Sequence, residues 1–492
     1  MGRSRAFCVV FLLLNLLLSA YFLDAWLTPN AASRALPVLT LYEQGAIRID
    51  DYHRFTADKA LIDGHYYSDK APLSTLVVYP FYRIYRLFVP EDQEADLLAR
   101  YPIYIWEPIT RELDGRLITF PKLQPVLLLG SFLCGSVPFL LLLFLLFLTL
   151  VHASPGGSPS PVTLSMLGLY GSYLFVLSGT YFGSLLAGAL LLGAYHLLKQ
   201  LGSEGRECEG RSLMWAGGLT GLATLAEFTC AVAVPIWCGL LYFRRRTLRE
   251  VALFIAGGIP PLLVFLAYNS MTTGSLIDLP YRHEATEEFA QMREVAVGFG
   301  WPSWEALWGL TVSRFRGIFH FAPVLLPIGY LFLLKARRRG GAMLVDNYLV
   351  LPAAAHFLIV SCFYMWWGGW SYGPRHLAPL VFLILFEGLL QLSRRDPSRG
   401  VFLALGLWGL LTSWMAKATR VYMMPADVSD PLLDLMLPDL LAQKLNANSL
   451  PTLFLGLPPL LSVMLWPVIF ALCWWILSAW QSKLQPPGTQ GQ

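Results

Sequence analysis

The chain has 492 residues, of which 56% are apolar and only 14% charged, against about 25% charged in ordinary soluble proteins. A mean hydropathy of +0.54, with apolar runs recurring from residue 6 to residue 480, excludes a soluble enzyme with one anchor, a disordered chain and a fibrous repeat. The 36 basic and 32 acidic residues leave a formal charge of +4, too balanced for a nucleic-acid partner.

A membrane span needs roughly 20 mainly apolar residues, and Lys/Arg clusters mark the cytoplasmic connections. Arg3 and Arg5 precede the first run, 6–27, which lacks a small-residue cleavage site and so reads as an uncleaved helix. Further runs lie at 124–151, 162–177, 181–198, 213–243, 248–269, 317–334, 343–363, 377–392, 401–416 and 453–480, with basic clusters at 199–211, 244–246, 335–339 and 394–399. The run 213–243 is too long for one span, and a single crossing would put Arg244, Arg245 and Arg246 outside; two short helices turning near Glu227 fit better. The expectation is an all-α polytopic membrane protein with about twelve transmembrane helices, located in the cell (inner) membrane with both termini cytoplasmic. The hydrophilic connections 28–122, 270–316, 365–376 and 417–451 then fall on the outer face, so the chemistry is expected there. Seven cysteines without CxxC or metal-ligand spacing predict neither disulfides nor a structural zinc site.

The long first outer connection is the richest in functional groups. Its stretch 31–44 places Leu36, Leu39 and Tyr42 on one face of a surface helix, and the loop as a whole is expected to hold short helices rather than a sheet. Arg48, Asp50, Asp51, His53, Arg54, Asp58 and Lys59 follow, then Gly64-His65-Tyr66-Tyr67-Ser68-Asp69-Lys70-Ala71-Pro72. Carboxylates in such a mixture can activate a hydroxyl, and interleaved cations can hold a departing phosphate; a solvated loop of weak charge pairs is the alternative. Arg375 follows Gly373-Pro374 and is flanked by His376, Trp366, Trp367, Trp370 and Tyr372. Its guanidinium can clamp a lipid phosphate bidentately, or it can snorkel from an interfacial aromatic belt. Lys70 beside Asp69 is either a second phosphate ligand or a surface ion pair. Arg314 and Arg316 read as anchors of the following helix, His320 as a core histidine, and Glu227 as an outer-turn carboxylate within an apolar run. There is no phosphate loop of the GxxxxGK[ST] type, so cytosolic nucleotide hydrolysis is not expected.

Three segments carry a resemblance. IDGHYYSDKAPLSTLVVYPFY at 62–82, SRFRGIFHFAPVLLP at 313–327 and WWGGWSYGPRHLAP at 366–379 resemble, in the same order and at the same membrane boundaries, elements of the GT-C-fold integral membrane glycosyltransferases of bacterial type. The resemblance implies a GT-C-like core over 1–417, including the extracytoplasmic loop 28–122. Residues 418–492 would then supply an outer loop, the final transmembrane helix and a cytoplasmic tail. It also implies sugar transfer from a polyprenyl-phosphate-linked donor to a lipid, glycan or protein acceptor at the extracytoplasmic face, with an acid of the first outer loop as base.

Many members of that family carry the acid just beyond the first span, where this chain reads Pro29-Asn30-Ala31-Ala32-Ser33-Arg34. The base is therefore expected at Asp50 or Asp51, with Asp24 as a further candidate that otherwise ends the first helix. The donor phosphate falls to Arg375, Lys70 and His376, with Asp69, Lys59 and Tyr372 in support. No ligand spacing defines a metal, although the loop carboxylates can take a divalent ion. The competing readings are a lipid or polysaccharide transporter, which predicts two similar halves that are not visible, and a non-catalytic relative acting as an assembly partner.

Overall fold

The structure, a computed structural model, describes residues 2–23, 28–90, 122–153, 159–201, 210–294, 296–346, 348–394, 399–419, 424–425 and 427–484. The expectations for Asp24, for 91–121 of the first outer connection, for the basic residues within 202–209 and 395–398 and for the tail 485–492 lie outside the described residues.

The apolar runs fold as helices. Among the described residues six are long and apolar enough to cross a membrane: Leu123–Ala153, Ser184–Leu201, Leu248–Thr273, Arg375–Leu392, Gly400–Ala418 and Pro459–Leu484. Shorter apolar helices stand at Arg5–Ala20, Pro161–Tyr170, Phe228–Arg244 and Val350–Cys362. Their outward side chains are apolar too: Ile255, Ile259, Leu262 and Leu263 on one helix and Leu461, Val468, Leu472 and Trp475 on another are about half exposed or more. Burying such side chains gains about 1.5–3 kcal/mol each relative to water, so continuous stripes of them require hydrocarbon as the outer solvent. The chain is a multi-pass membrane protein.

Within the bundle, small residues bring helices close, as expected where lipid supplies no hydrophobic drive between them. Gly210–Ala226 packs on Leu248–Thr273 so tightly that a Cβ on Gly217 would lie 1.8 Å from the Phe254 carbonyl oxygen. The run 213–243 divides into Gly210–Ala226 and Ala233–Arg245 around the turn Phe228–Val232, and the extended backbone of Glu227 (φ −146°, ψ 115°) makes the break.

In the first outer connection, Thr28 accepts the Ala31 N–H and Pro29 occupies the first turn, starting the helix Pro29–Gln44 that Gly45 ends in the left-handed region. Leu36 and Leu39 are buried and Tyr42 is exposed. A 3-10 turn, Asp50–Phe55, and the helix Leu73–Phe88 follow the expectation of short helices. Between them the all-α expectation is corrected: Lys59–Ile62 and His65–Ser68 pair as an antiparallel hairpin. Asp63 (φ 50°) and Gly64 (φ 81°) form its two-residue turn, a backbone shape that Asp-Gly supplies and that matches the strand twist.

The four hydrophilic connections meet at one end of the bundle. Ala60 bridges Glu284, Phe299 bridges Phe363 and Phe22 bridges Ser449; Arg316 donates to the Trp367 and Gly369 carbonyls, and Arg314 pairs with Asp430 at 3.0 Å. This convergence builds a polar cap over the helix ends.

Candidate functional site

A cavity of about 430 Å³ lies under this cap. Its charged and titratable walls come from separate elements: Arg34 from the helix Pro29–Gln44, Asp58 and Lys70 from either side of the hairpin, Glu227 from the helix break, and Arg375 and His376 from the start of a membrane helix. Phe228, Val232, Phe289, Ile359, Phe363 and Trp367 supply apolar wall. The cavity therefore offers cations beside carboxylates within an apolar enclosure, where Coulomb interactions are stronger than in water.

Lys70 is fixed from several sides. Its Nζ lies 2.9 Å from Asp58 Oδ2 and 2.6 Å from Asp69 Oδ2, and 5.3 Å from the centre of the Tyr281 ring. Ser33 donates to Asp69 at 3.1 Å and meets Ser68 at 2.8 Å, tying the surface helix to the segment that carries the lysine. Burial opposes the Lys70 charge, but Asp58 and Asp69 outweigh it and raise the pKa, so the ammonium persists. Burial raises Asp69 as well, against the pull of Lys70. Glu284, 2% exposed, is pushed up to about 9 by burial and by the Asp69 and Asp58 carboxylates. Asp69 has Lys70 and Ser33 as donors while Glu284 has the Thr286 N–H, so Glu284 holds the proton of this pair.

Arg375 enters on a backbone that Gly373 (φ 68°) turns and Pro374 restricts. Its Nε donates to the Gly368 carbonyl at 2.6 Å and its guanidinium lies 4.8 Å from the Phe182 ring centre. Among the described residues its two terminal amino groups carry no protein hydrogen bond, leaving the planar fork for a ligand. Arg316 braces the same loop from behind: fully buried, it donates to Trp367, Gly369 and Phe315 carbonyls at 2.9–3.2 Å. Glu227 Oε1 lies 3.4 Å from Arg34 Nη2, and Arg34 also donates to Asn30.

Of the residues expected from the sequence, Lys70, Arg375 and His376 line the cavity and Asp69 stands directly behind Lys70. Asp50 and Asp51 do not line it. Asp50 accepts from the Tyr66 N–H at 2.6 Å and meets His65 at 2.8 Å, fastening the loop to the hairpin, and Asp51 accepts from Gln44 at 2.7 Å, fastening it to the end of the helix Pro29–Gln44. Lys59 donates to the His53 carbonyl at 3.0 Å, and Tyr372 is buried against Phe321 with ring centres 4.7 Å apart; neither is a wall residue. Asp58, Arg34 and Glu227 also line the cavity without a local motif that marks them for it, because what places them there is contact across the chain. Arg34 and Glu227 are 193 residues apart, and the one local signal was a glutamate interrupting an apolar run. Among the described residues no group of three or more His, Cys, Asp or Glu side chains is arranged to hold a metal ion.

No protein-family model matches the sequence, and no curated protein matches it. Among solved structures the chain is similar to ArnT from Cupriavidus metallidurans bound to undecaprenyl phosphate, with 12% identity, a TM-score of 0.48 and coverage of 98% of this chain and 78% of that one. The apo state of the same protein matches with 12% identity, a TM-score of 0.47 and coverage of 98% and 76%.

Proposed function

We propose that the chain is a membrane glycosyltransferase that moves a sugar from a polyprenyl-phosphate-linked donor to an acceptor hydroxyl at the extracytoplasmic face. The observation that supports this reading is the cavity itself, in which Lys70 and Arg375 stand beside carboxylates inside a largely apolar enclosure. A soluble phosphate site has no use for such walls, whereas a lipid phosphate brings an anion and a hydrocarbon chain together. In transfer, the acceptor oxygen bonds to the anomeric carbon, the bond from that carbon to the phosphate oxygen breaks, and the electron pair stays on the phosphate. Fixed cations stabilise that charge. The acceptor proton goes to a carboxylate; of the three in the wall among the described residues Glu288 is exposed, whereas Asp58 and Glu227 are largely covered.

The finer topology belongs to the same reading: about twelve crossings, both termini cytoplasmic and the polar cap outside the inner membrane, by the position of the Arg clusters on the connections remote from the cap. The direct test is binding of undecaprenyl phosphate to the purified full chain in detergent. Saturable binding that weakens at least tenfold in Lys70→Ala and in Arg375→Ala is expected. Wild-type protein with no saturable binding, or variants that bind as wild type does, would contradict the reading.

A further inference from the structure

Glu227 is held in a way that sets it apart from the other carboxylates around the cavity. It sits at the break between two helices rather than on a loop, and Gly183 makes room for it, since a Cβ there would lie 3.1 Å from Oε1. Its ion-pair partner, Arg34, is 2% exposed and lines the cavity. That guanidinium is under-satisfied: its contact with Glu227 is long, 3.4 Å, and its buried Nε has no hydrogen-bond partner. A buried donor left without an acceptor is costly, more so on a charged group, so Arg34 is ready to take a better acceptor. Asp58 differs, because it and Asp69 share the Lys70 ammonium at 2.9 and 2.6 Å. A proton on Asp58 would strip a buried cation of half its counter-charge.

We infer that Glu227, and not a carboxylate of the first outer connection, takes the proton of the acceptor, and that the donor phosphate frees it by displacing it from Arg34. The inference rests on reading the cavity as a polyprenyl-phosphate site. The acceptor O–H gives its proton to the Glu227 carboxylate as its oxygen bonds to the anomeric carbon. The carbon–oxygen bond to the phosphate breaks, and the electron pair remains on a phosphate faced by Arg34, Lys70 and Arg375. Asp58 and Asp69 stay with Lys70 throughout, so the same lysine keeps its charge before and after transfer.

The test is a double-mutant cycle on the full chain, with undecaprenyl phosphate as the probe, supplemented by release of undecaprenyl phosphate from its hexose and pentose conjugates with water as the acceptor. Glu227→Gln is expected to bind undecaprenyl phosphate several-fold more tightly, because Arg34 loses its internal anion, and the gain is expected to vanish in an Arg34→Gln background. The same variant should slow release about 10²–10⁴-fold, the range of a general base. Weaker binding in Glu227→Gln, a gain that survives without Arg34, or wild-type release in Glu227→Gln together with its loss in Asp58→Asn would each overturn the inference. Glu227→Ala carries the same expected signs through the cycle if Glu227→Gln does not accumulate. The affinity cycle tests the displacement from Arg34 whichever sugar the protein uses, and the release rate tests the proton transfer to Glu227. Wild-type protein that shows no saturable binding would overturn the reading of the cavity instead.

Discussion

Arg375 combines a fixed entry, one backbone anchor and an open fork, and each property has a measurable consequence. Arg375→Ala should lose about 10²–10³ in transfer rate, or roughly 3–4 kcal/mol, while remaining inserted; Arg375→Lys should recover part of it, because an ammonium keeps the charge and loses the fork. Rate measured alongside membrane abundance separates a ligand from a structural arginine. Glu284 tests the electrostatics around Lys70. Its pKa in the fold, about 9, exceeds the ordinary value near 4.3, so the unfolded chain releases this proton first. Stability should therefore fall as pH rises from about 4.5 to about 9. Glu284→Gln should remove that slope, stabilising the chain at pH 8 and not at pH 5 by at most about a few kcal/mol, seen as a higher unfolding temperature at pH 8 alone. Lys70 and Arg375 were legible in the sequence because local motifs bracket them. Asp50 and Asp51 stand out in the sequence through the neighbouring Arg48, His53 and Arg54, yet their partners in the fold are His65, the Tyr66 N–H and Gln44, outside the cavity wall.

At the level of elements, the membrane helices were readable because their apolar length is set by the bilayer, and the hairpin of spans around Glu227 followed from the Arg244–Arg246 cluster. The β-hairpin was missed although Asp63-Gly64 is a strong turn signal; the flanking Lys59–Ile62 and His65–Ser68 are too short and too mixed in polarity to announce strands. Helix contact depends on features that periodicity does not carry, such as the approach of Gly217 to the Phe254 carbonyl. Gly217→Leu should destabilise the chain by several kcal/mol through that clash, seen as a lower unfolding temperature in detergent. Sidedness is open to labelling with a membrane-impermeant thiol reagent. A cysteine at the exposed Glu287 should react in intact cells, and one at Arg338, on the opposite connections, only after permeabilisation. The reverse pattern would invert the topology and move the cavity to the cytoplasmic face.

Across the whole molecule, a helical bundle gathers four distant connections into a cap, and the cap closes an amphipathic cavity over the helix ends. That assembly was legible only as a tendency, since hydropathy assigned the connections to one face but could not say that Ala60 would meet Glu284 or that Arg316 would bind the Trp367 and Gly369 carbonyls. Long-range contacts of this kind depend on packing, and they decide which of the many charged residues share a site. The central claim is that a polyprenyl phosphate places its anion among the cavity cations and its chain along the apolar wall. An experimental structure of the full chain with undecaprenyl phosphate tests it most directly. Phosphate oxygens are expected within hydrogen-bond distance of Lys70 Nζ and the Arg375 guanidinium, with the lipid chain against the apolar wall. A phosphate bound away from both cations, with the cavity unchanged, would contradict it.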